Sequence, residues 1–209
     1  MSLRRCWWLS LSLFVAAWAG CQQGEMRLGS ARQLDCSGCL EALPINGWCS
    51  ACQHGLVAGL VIPSLEFHQI LDAHGHDVEV DTLQCGMCLI VAPEDEFCTR
   101  CRNGFVAGQL YFSELTWSLA LGVHDGSGGD CPGCKLVAGE VGKCQSCGTL
   151  WVGSVRFDSK EAASRAAQQY RRLVEALTRL ECCEECAIAG FFGARCRTCH
   201  RDPIPDPFN

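Results

Sequence analysis

A repeated apolar stretch is the clearest pattern along the chain. It occurs three times, as GLVAGLVIPS, GFVAGQLYFS and LWVGSVRFDS, ending at Ser64, Ser113 and Ser159. β-branched and aromatic residues at this density predict short strands. The serine at the end of each stretch is a good helix N-cap, because its hydroxyl can accept a hydrogen bond from an unpaired N–H of a first turn. The pattern therefore predicts a strand followed by a capped helix, three times over.

Helical spacing follows each serine. Phe67, Ile70, Leu71 and His74 fall on one helix face, and Gly75 is a natural stop. Leu115, Leu119 and Gly122 repeat this arrangement in shorter form. The longest helix is predicted over 159–181, with an apolar stripe at Ala163, Ala166, Ala167, Tyr170, Val174 and Leu177. We interpret this stripe as a packing face against the neighbouring units.

The N-terminal segment has the pattern of an export signal. Arg4 and Arg5 precede the apolar run WWLSLSLFVAAWAG, which ends at Cys21. A basic start, an apolar core and small residues before a cleavage site indicate a signal peptide over 1–20. The run is too short for a comfortable membrane span of roughly 20 apolar residues. It resembles a bacterial lipoprotein signal, which implies cleavage before Cys21 and lipidation of that residue. Ordinary cleavage, with Cys21 left as a thiol, is the alternative, and Arg4-Arg5 leaves twin-arginine export open.

Composition narrows the functional classes. Nineteen of the 209 residues are cysteines, about 9%, which is typical of a disulfide or metal scaffold. The formal charge is −6 and no block of Lys or Arg stands out, so no nucleic-acid partner is expected. No Ser-His-Asp constellation, nucleotide loop or catalytic carboxylate pair is evident, and the protein is therefore not expected to be an enzyme.

Sixteen of the cysteines fall into four quartets with one spacing, C-x2-C-x9-C-x2-C. The quartets are Cys36, Cys39, Cys49 and Cys52; Cys85, Cys88, Cys98 and Cys101; Cys131, Cys134, Cys144 and Cys147; and Cys183, Cys186, Cys196 and Cys199. A close pair turns two thiolates toward one point, and a second pair completes a tetrahedron, so all sixteen are predicted to be metal ligands. Cys182 lies outside the register and is interpreted as a spare thiol, and the alternative is that it replaces its neighbour Cys183 as a ligand.

The quartets resemble the four-cysteine knuckles of zinc ribbons and rubredoxin-like proteins. The resemblance covers four stretches of seventeen residues and implies hairpins with turns near LPING in the first unit and AGEVG in the third. The predicted fold class is a small, metal-stapled α+β fold, a tandem array of four zinc-ribbon-like β-hairpin units with interleaved short helices. The predicted boundaries are 21–33 for an N-terminal linker, 34–78, 79–126, 127–181 and 182–201 for units one to four, and 202–209 for a disordered tail.

Zinc, at about four ions, is the predicted cofactor, with iron as an alternative because soft thiolates suit both metals. Outside the cytoplasm the same cysteines could instead form disulfides. The motif CRTCH, ending at His200, could by itself attach haem, but its cysteines belong to the fourth quartet. His74 and His76 could form a second metal site, or simply end a helix.

These features predict an exported zinc-binding repeat protein, held at the bacterial cell envelope by lipid at Cys21. Its expected role is structural, presenting a surface to an unidentified protein partner on the periplasmic or extracellular face. A metal store or carrier, a disulfide-stapled scaffold and an iron or haem electron carrier are the alternatives. Because each small unit carries its own quartet, the units are expected to fold almost independently.

Overall fold

The computed structural model describes residues 34–125 and 128–206. The predicted signal peptide, the linker 21–33 and the lipidation site Cys21 lie outside these ranges. Within them the chain is a small α+β protein of seven α-helices and three antiparallel sheets. No helix in these ranges combines the length and the apolar character needed to cross a membrane.

Unit one places a short helix before a three-stranded sheet and a second helix after it. Its elements are α1 (Ser37–Ala42), a 3-10 turn (Leu43–Ile45), β1 (Trp48–Cys49), β2 (His54–Val57), β3 (Leu60–Ile62) and α2 (Leu65–Leu71). The strand order is β1-β2-β3.

Unit two repeats this plan and adds an edge strand. Its elements are β4 (His76–Asp77), a 3-10 turn (Val80–Thr82), α3 (Gly86–Val91), a 3-10 turn (Ala92–Glu94), β5 (Phe97–Cys98), β6 (Asn103–Val106), β7 (Gln109–Tyr111) and α4 (Glu114–Ala120). The strand order is β4-β7-β6-β5, with His76 paired to Leu110.

Unit three has the longest helix, and unit four has no strand among its described residues. Their elements are β8 (Val123–His124), α5 (Pro132–Val137), β9 (Glu140–Lys143), β10 (Leu150–Gly153), β11 (Val155–Phe157), α6 (Lys160–Leu180) and α7 (Glu184–Phe191). The strand order is β8-β11-β10-β9.

The repeated stretch folds as its sequence predicts. In units one and two it forms a hairpin with a two-residue turn whose central residues have positive φ, 48° and 84° at Ala58-Gly59 and 50° and 79° at Ala107-Gly108. Such turns match the twist of the two strands that they join. The serine caps are confirmed, because Ser64, Ser113 and Ser159 accept from the backbone N–H groups of Phe67, Thr116 and Ala162.

The residues between the two pairs of each quartet differ from the prediction. The sequence predicted a hairpin turn near LPING and AGEVG. Instead, Leu43–Ile45 form a 3-10 turn and Glu140–Lys143 form strand β9. The first pair of each quartet begins a short helix, so only the second pair lies at a β-hairpin turn, between β1 and β2, β5 and β6, and β9 and β10 in units one to three.

One apolar core joins all four units. It includes Leu60 of unit one, Leu119 of unit two, Leu173 of unit three and Ala187 of unit four, each no more than 1% exposed. Helix α6 supplies its longest face. The expectation of nearly independent units is therefore wrong at the level of the core, although each quartet of units one to three also has a small apolar cluster of its own.

Two strands also pair with the sheet of the unit that follows them in the sequence. Strand β4 follows the helix of unit one but pairs with β7 of unit two, and β8 follows the helix of unit two but pairs with β11 of unit three. The predicted boundaries at residues 78 and 126 therefore fall after strands that belong to the next sheet. The turn of unit three also contacts that of unit one, where the Ser154 N–H donates to the Ala58 carbonyl at 2.9 Å.

The chain after the fourth quartet is packed over residues 202–206, where the sequence predicted a disordered tail. Ile204 is 2% exposed within the core, and its N–H donates to the Gly190 carbonyl at 3.0 Å. The Asp206 carboxylate lies 3.0 Å from the guanidinium of Arg102 and 3.4 Å from that of Arg172. This segment, which we call the C-terminal strap, ties unit four to units two and three.

Candidate metal centres

Each quartet is assembled by a helix start and a tight turn. The first cysteine of each quartet, Cys36, Cys85, Cys131 or Cys183, is the N-cap residue of a short helix, and the second lies in that helix. The residue after the fourth cysteine has positive φ in every unit, at Gln53, Arg102, Gly148 and His200. This conformation folds the chain back after the second pair, so that its sulfurs face those of the first.

The structure brings all sixteen predicted ligands together in their four quartets. In each, the four Sγ atoms lie within 4.8 Å of one another. Cross-pair separations include 3.7 Å between Cys36 and Cys49, 3.8 Å between Cys131 and Cys144, and 3.9 Å between Cys183 and Cys196. The second and third cysteines are buried, the first is half-buried and the fourth is exposed.

These separations fit a tetrahedral metal site. Four sulfurs at about 2.3 Å from a central zinc would be about 3.8 Å apart. A disulfide bond is about 2.05 Å long. All sixteen cysteines are free, and the geometry is therefore that of four-thiolate sites that could bind metal ions, zinc or iron, rather than that of eight disulfides.

Backbone N–H groups favour the thiolate form at part of each site. The N–H of Cys39, aided by the thiols of Cys52 and Cys49, lowers the pKa of Cys36 to about 7. The N–H of Cys88, followed by the Cys101 thiol, lowers the pKa of Cys85 to about 6. Such contacts stabilise the charged sulfur, which is the form that binds metal.

Burial acts in the opposite direction on the second cysteine of each quartet. It raises the pKa values of Cys39, Cys88 and Cys186, and that of Cys134 to about 12. A buried thiol with a raised pKa stays protonated unless a positive charge is close to it. A divalent cation at the centre of the quartet supplies that charge, and metal binding is then coupled to the loss of the thiol protons.

The residue two positions after the last cysteine differs between units. In unit one His54 Nε2 lies 3.3 Å from Cys39 Sγ. In unit three Thr149 Oγ1 lies 3.1 Å from Cys147 Sγ, and this side chain, with the Thr149 N–H, lowers the pKa of Cys147 to about 6. These polar neighbours were missed in the sequence, although their fixed offset from the last cysteine is a usable signal.

In unit four, two cysteines that are adjacent in the sequence have different surroundings. Cys183 belongs to the fourth quartet, whereas Cys182 does not. Cys182 is disulfide-bonded, which corrects its interpretation as a spare thiol. Cys196 and Cys199 also belong to the fourth quartet, and His200 takes the turn position that Gly148 takes in unit three.

A fifth group of ligand-type residues lies between units one and two. It joins His74 and His76, which the sequence had suggested, to Asp72, which it had not. Comparison with protein-family models, with curated proteins and with solved structures finds no match to this chain. The geometry of the four quartets therefore carries the functional argument.

Proposed function

We propose that the chain is an exported zinc-binding repeat protein whose four metal centres are structural. The observation that supports this most directly is the repetition of a tetrahedral set of free cysteines in all four units. Four thiolates fill every position of a tetrahedral ion, leaving none for water or substrate. A site of that kind stabilises a fold and performs no reaction, so we propose no enzymatic activity.

Small local cores explain why each unit would need a metal. The apolar cluster beside the first quartet contains only Cys39, Ala42, Leu43, Cys49 and Leu56 as fully buried members. Clusters of this size bury too little apolar surface to hold a fold by themselves. Metal binding at the cysteines then supplies part of the folding free energy.

We further propose that the protein acts by binding a protein partner at the cell envelope. Short helices beside the quartets expose apolar side chains, among them Leu40 on α1 and Met87, Leu89 and Ile90 on α3. Ile90 is 67% exposed. Exposed apolar residues grouped on a rigid element are typical of interaction surfaces.

Metal identity is tested on protein purified without added metal. Elemental analysis is expected to find zinc, and the absorption spectrum is expected to lack the visible bands of thiolate-bound iron or haem. A coloured protein with iron in the quartets would replace the structural role by electron transfer. Zinc lost to a weak chelator while the fold persists would instead favour a metal store or carrier.

The location is tested separately at Cys21, since the proposal includes a lipid anchor. Replacing Cys21 by Ser should abolish lipid attachment and release the protein from the membrane fraction. An unchanged membrane fraction and unchanged processing in the Cys21→Ser variant would refute the anchor without affecting the metal sites.

A further inference from the structure

The corner between α2 and β4 collects three metal-binding side chains. His74 Nδ1 lies 3.1 Å from Asp72 Oδ1, and His76 Nε2 lies 3.0 Å from Asp72 Oδ2. The centroids of the two imidazole rings are 4.5 Å apart. Two nitrogens and one carboxylate oxygen thus come together away from the sixteen cysteines of the quartets.

These separations are close to those of ligands around one ion. With metal–ligand bonds of about 2.0–2.2 Å, neighbouring donors lie about 2.9 Å apart at right angles and about 3.4 Å apart at tetrahedral angles. The two nitrogen-to-oxygen distances, one to each oxygen of Asp72, fall in this range, and one ligand atom from each of the three residues lies within 4.8 Å of the other two. An ion at the centre would draw one ligand atom of each residue inward and would take the place of the imidazole protons now shared with Asp72.

The surrounding backbone holds the three residues in place. Asp72 has a φ of 45° at the C-cap of α2, and the carbonyl of the next residue, Ala73, accepts from the buried Asn46 side chain at 2.9 Å. His76 is fixed by its pairing with Leu110 in the sheet, and its ring lies 4.8 Å from that of Phe112. Preorganisation of this kind lowers the entropic cost of binding.

Charge and access also suit a cation. Among the described residues, the ion pairs of Asp72 involve only His74 and His76, so no Lys or Arg neutralises its carboxylate. The side chains are 26%, 64% and 35% exposed for Asp72, His74 and His76. Solvent can therefore reach the cluster, and water can fill the remaining coordination positions of an ion.

The next repeat shows that the fold can make this corner without the cluster. After α4, only Leu121 and Gly122 precede β8, and Val123 pairs with Arg156 at the register where His76 pairs with Leu110. The three corner residues Leu121, Gly122 and Val123 include no histidine or carboxylate, and His124 follows them within β8. The two extra residues and the three ligand-type side chains are therefore specific to the junction of units one and two.

We propose that Asp72, His74 and His76 form a fifth metal site, open to solvent, for a divalent transition-metal ion of the imidazole-binding class such as Zn²⁺. The three protein ligands leave positions for water, so the ion can exchange with solvent. This site differs in kind from the quartets, whose four thiolates enclose their ion. It gives the protein one exchangeable metal position beside its structural ones, whether or not the quartets hold zinc.

The test titrates Zn²⁺ into the purified full-length protein after its own metal content has been measured. Calorimetry is expected to find one further ion per chain, and the ring resonances of His74 and His76 are expected to shift with it. His74→Gln and Asp72→Asn should each weaken this binding more than about tenfold, because each removes a direct ligand. Neither variant should change the metal content measured before titration.

His200→Asn is the matched control, since His200 is exposed and lies outside the cluster. It should bind the further ion as the unchanged protein does. Of the two ligand variants, His74→Gln is expected to disturb the fold least, because His74 is the most exposed of the three residues. Absence of a further ion, or equal binding in His74→Gln and His200→Asn, would overturn the site and leave a hydrogen-bonded end of α2. The result is independent of the quartets, whose metal content is known before the titration starts.

Discussion

Two glycines show how closely the repeats are matched at the scale of single residues. A Cβ at Gly55 would lie 2.0 Å from the ring of His68, and one at Gly104 would lie 2.1 Å from the ring of Trp117. His68 Nε2 lies 2.9 Å from the Asn46 carbonyl oxygen, and Trp117 Nε1 donates to the Asp95 carbonyl at 3.2 Å. The missing side chain lets each ring approach the backbone of its hairpin closely.

Replacing Gly104 by Ala should destabilise the protein by about 1–3 kcal/mol, because the buried Trp117 must move. Chemical denaturation of the metal-loaded protein measures this. The matched control is Gly86→Ala in the same unit, at a position where a Cβ would meet nothing within 4 Å. It should be neutral or stabilise by up to about 1 kcal/mol, since Ala is favoured in a helix. Equal effects of the two substitutions would contradict the close approach.

At this scale the sequence predicted the grouping of the cysteines well and their surroundings poorly. The quartets and the serine caps can be predicted from short spacings in the sequence, which do not depend on contacts with distant residues. Asn46, which donates to Ala73 and accepts from the N–H of Ala58, has partners 27 and 12 residues away. Asp72 acquires its two histidine neighbours only through a left-handed backbone conformation that the sequence does not reveal.

The C-terminal strap is the element whose prediction failed most clearly. Pro203 and Pro205 break any helical or strand pattern, and a Pro-rich end is typical of disorder. The strap is held instead by the buried Ile204 side chain, by a backbone hydrogen bond to Gly190 and by charges from other units, Arg102 and Arg172. None of these contacts leaves a periodic signal in the sequence.

Replacing Ile204 by Ala should cost about 2–5 kcal/mol, as expected for a buried aliphatic side chain. Ile90→Ala is the matched control, because Ile90 is 67% exposed on α3 and should change stability by no more than about 0.5 kcal/mol. Thermal unfolding of the two variants provides the comparison. An Ile204→Ala variant as stable as the control would mean that the strap does not pack in solution.

The helix α6, in contrast, was predicted almost residue by residue. The prediction of 159–181 compares with Lys160–Leu180 in the structure, and five of the six stripe residues are buried, with Val174 packed against the core. A long 3.6-residue period with a serine cap specifies such a helix locally. The short helices at the first cysteine pairs have only six residues each in units one to three, too few for a period to show.

At the scale of the whole molecule, the four units share one apolar core, whereas their separate quartets suggested that each unit folds independently. Residues 127–203, which carry quartets three and four, include α6 but lack Leu115 and Leu119 of α4 and the turn at Ala58. The apolar face of α6 would be partly uncovered in that fragment. The sequence could not show this, because the contacts join residues from separate repeats.

We therefore expect a fragment over 127–203 to bind zinc at its two quartets without reaching the native packing of α6. Its side-chain NMR signals should be poorly dispersed, and its amides in α6 should exchange faster than in the full chain. The full chain should unfold in one cooperative transition. A fragment with a dispersed spectrum and native protection of α6 would support independent units instead.

The most direct test of the central claim is the mass of the native protein, compared with that of the denatured, unreduced chain. The account predicts four zinc ions on the native chain, three after Cys134→Ser and four after Cys182→Ser, because each quartet uses all four of its sulfurs and Cys182 belongs to none. The denatured chain should keep the sixteen quartet cysteines as thiols. The contradicting result is a metal-free native protein whose denatured chain is about 16 Da lighter than the chain with all sixteen quartet cysteines as thiols, at roughly 2 Da for each of eight disulfides.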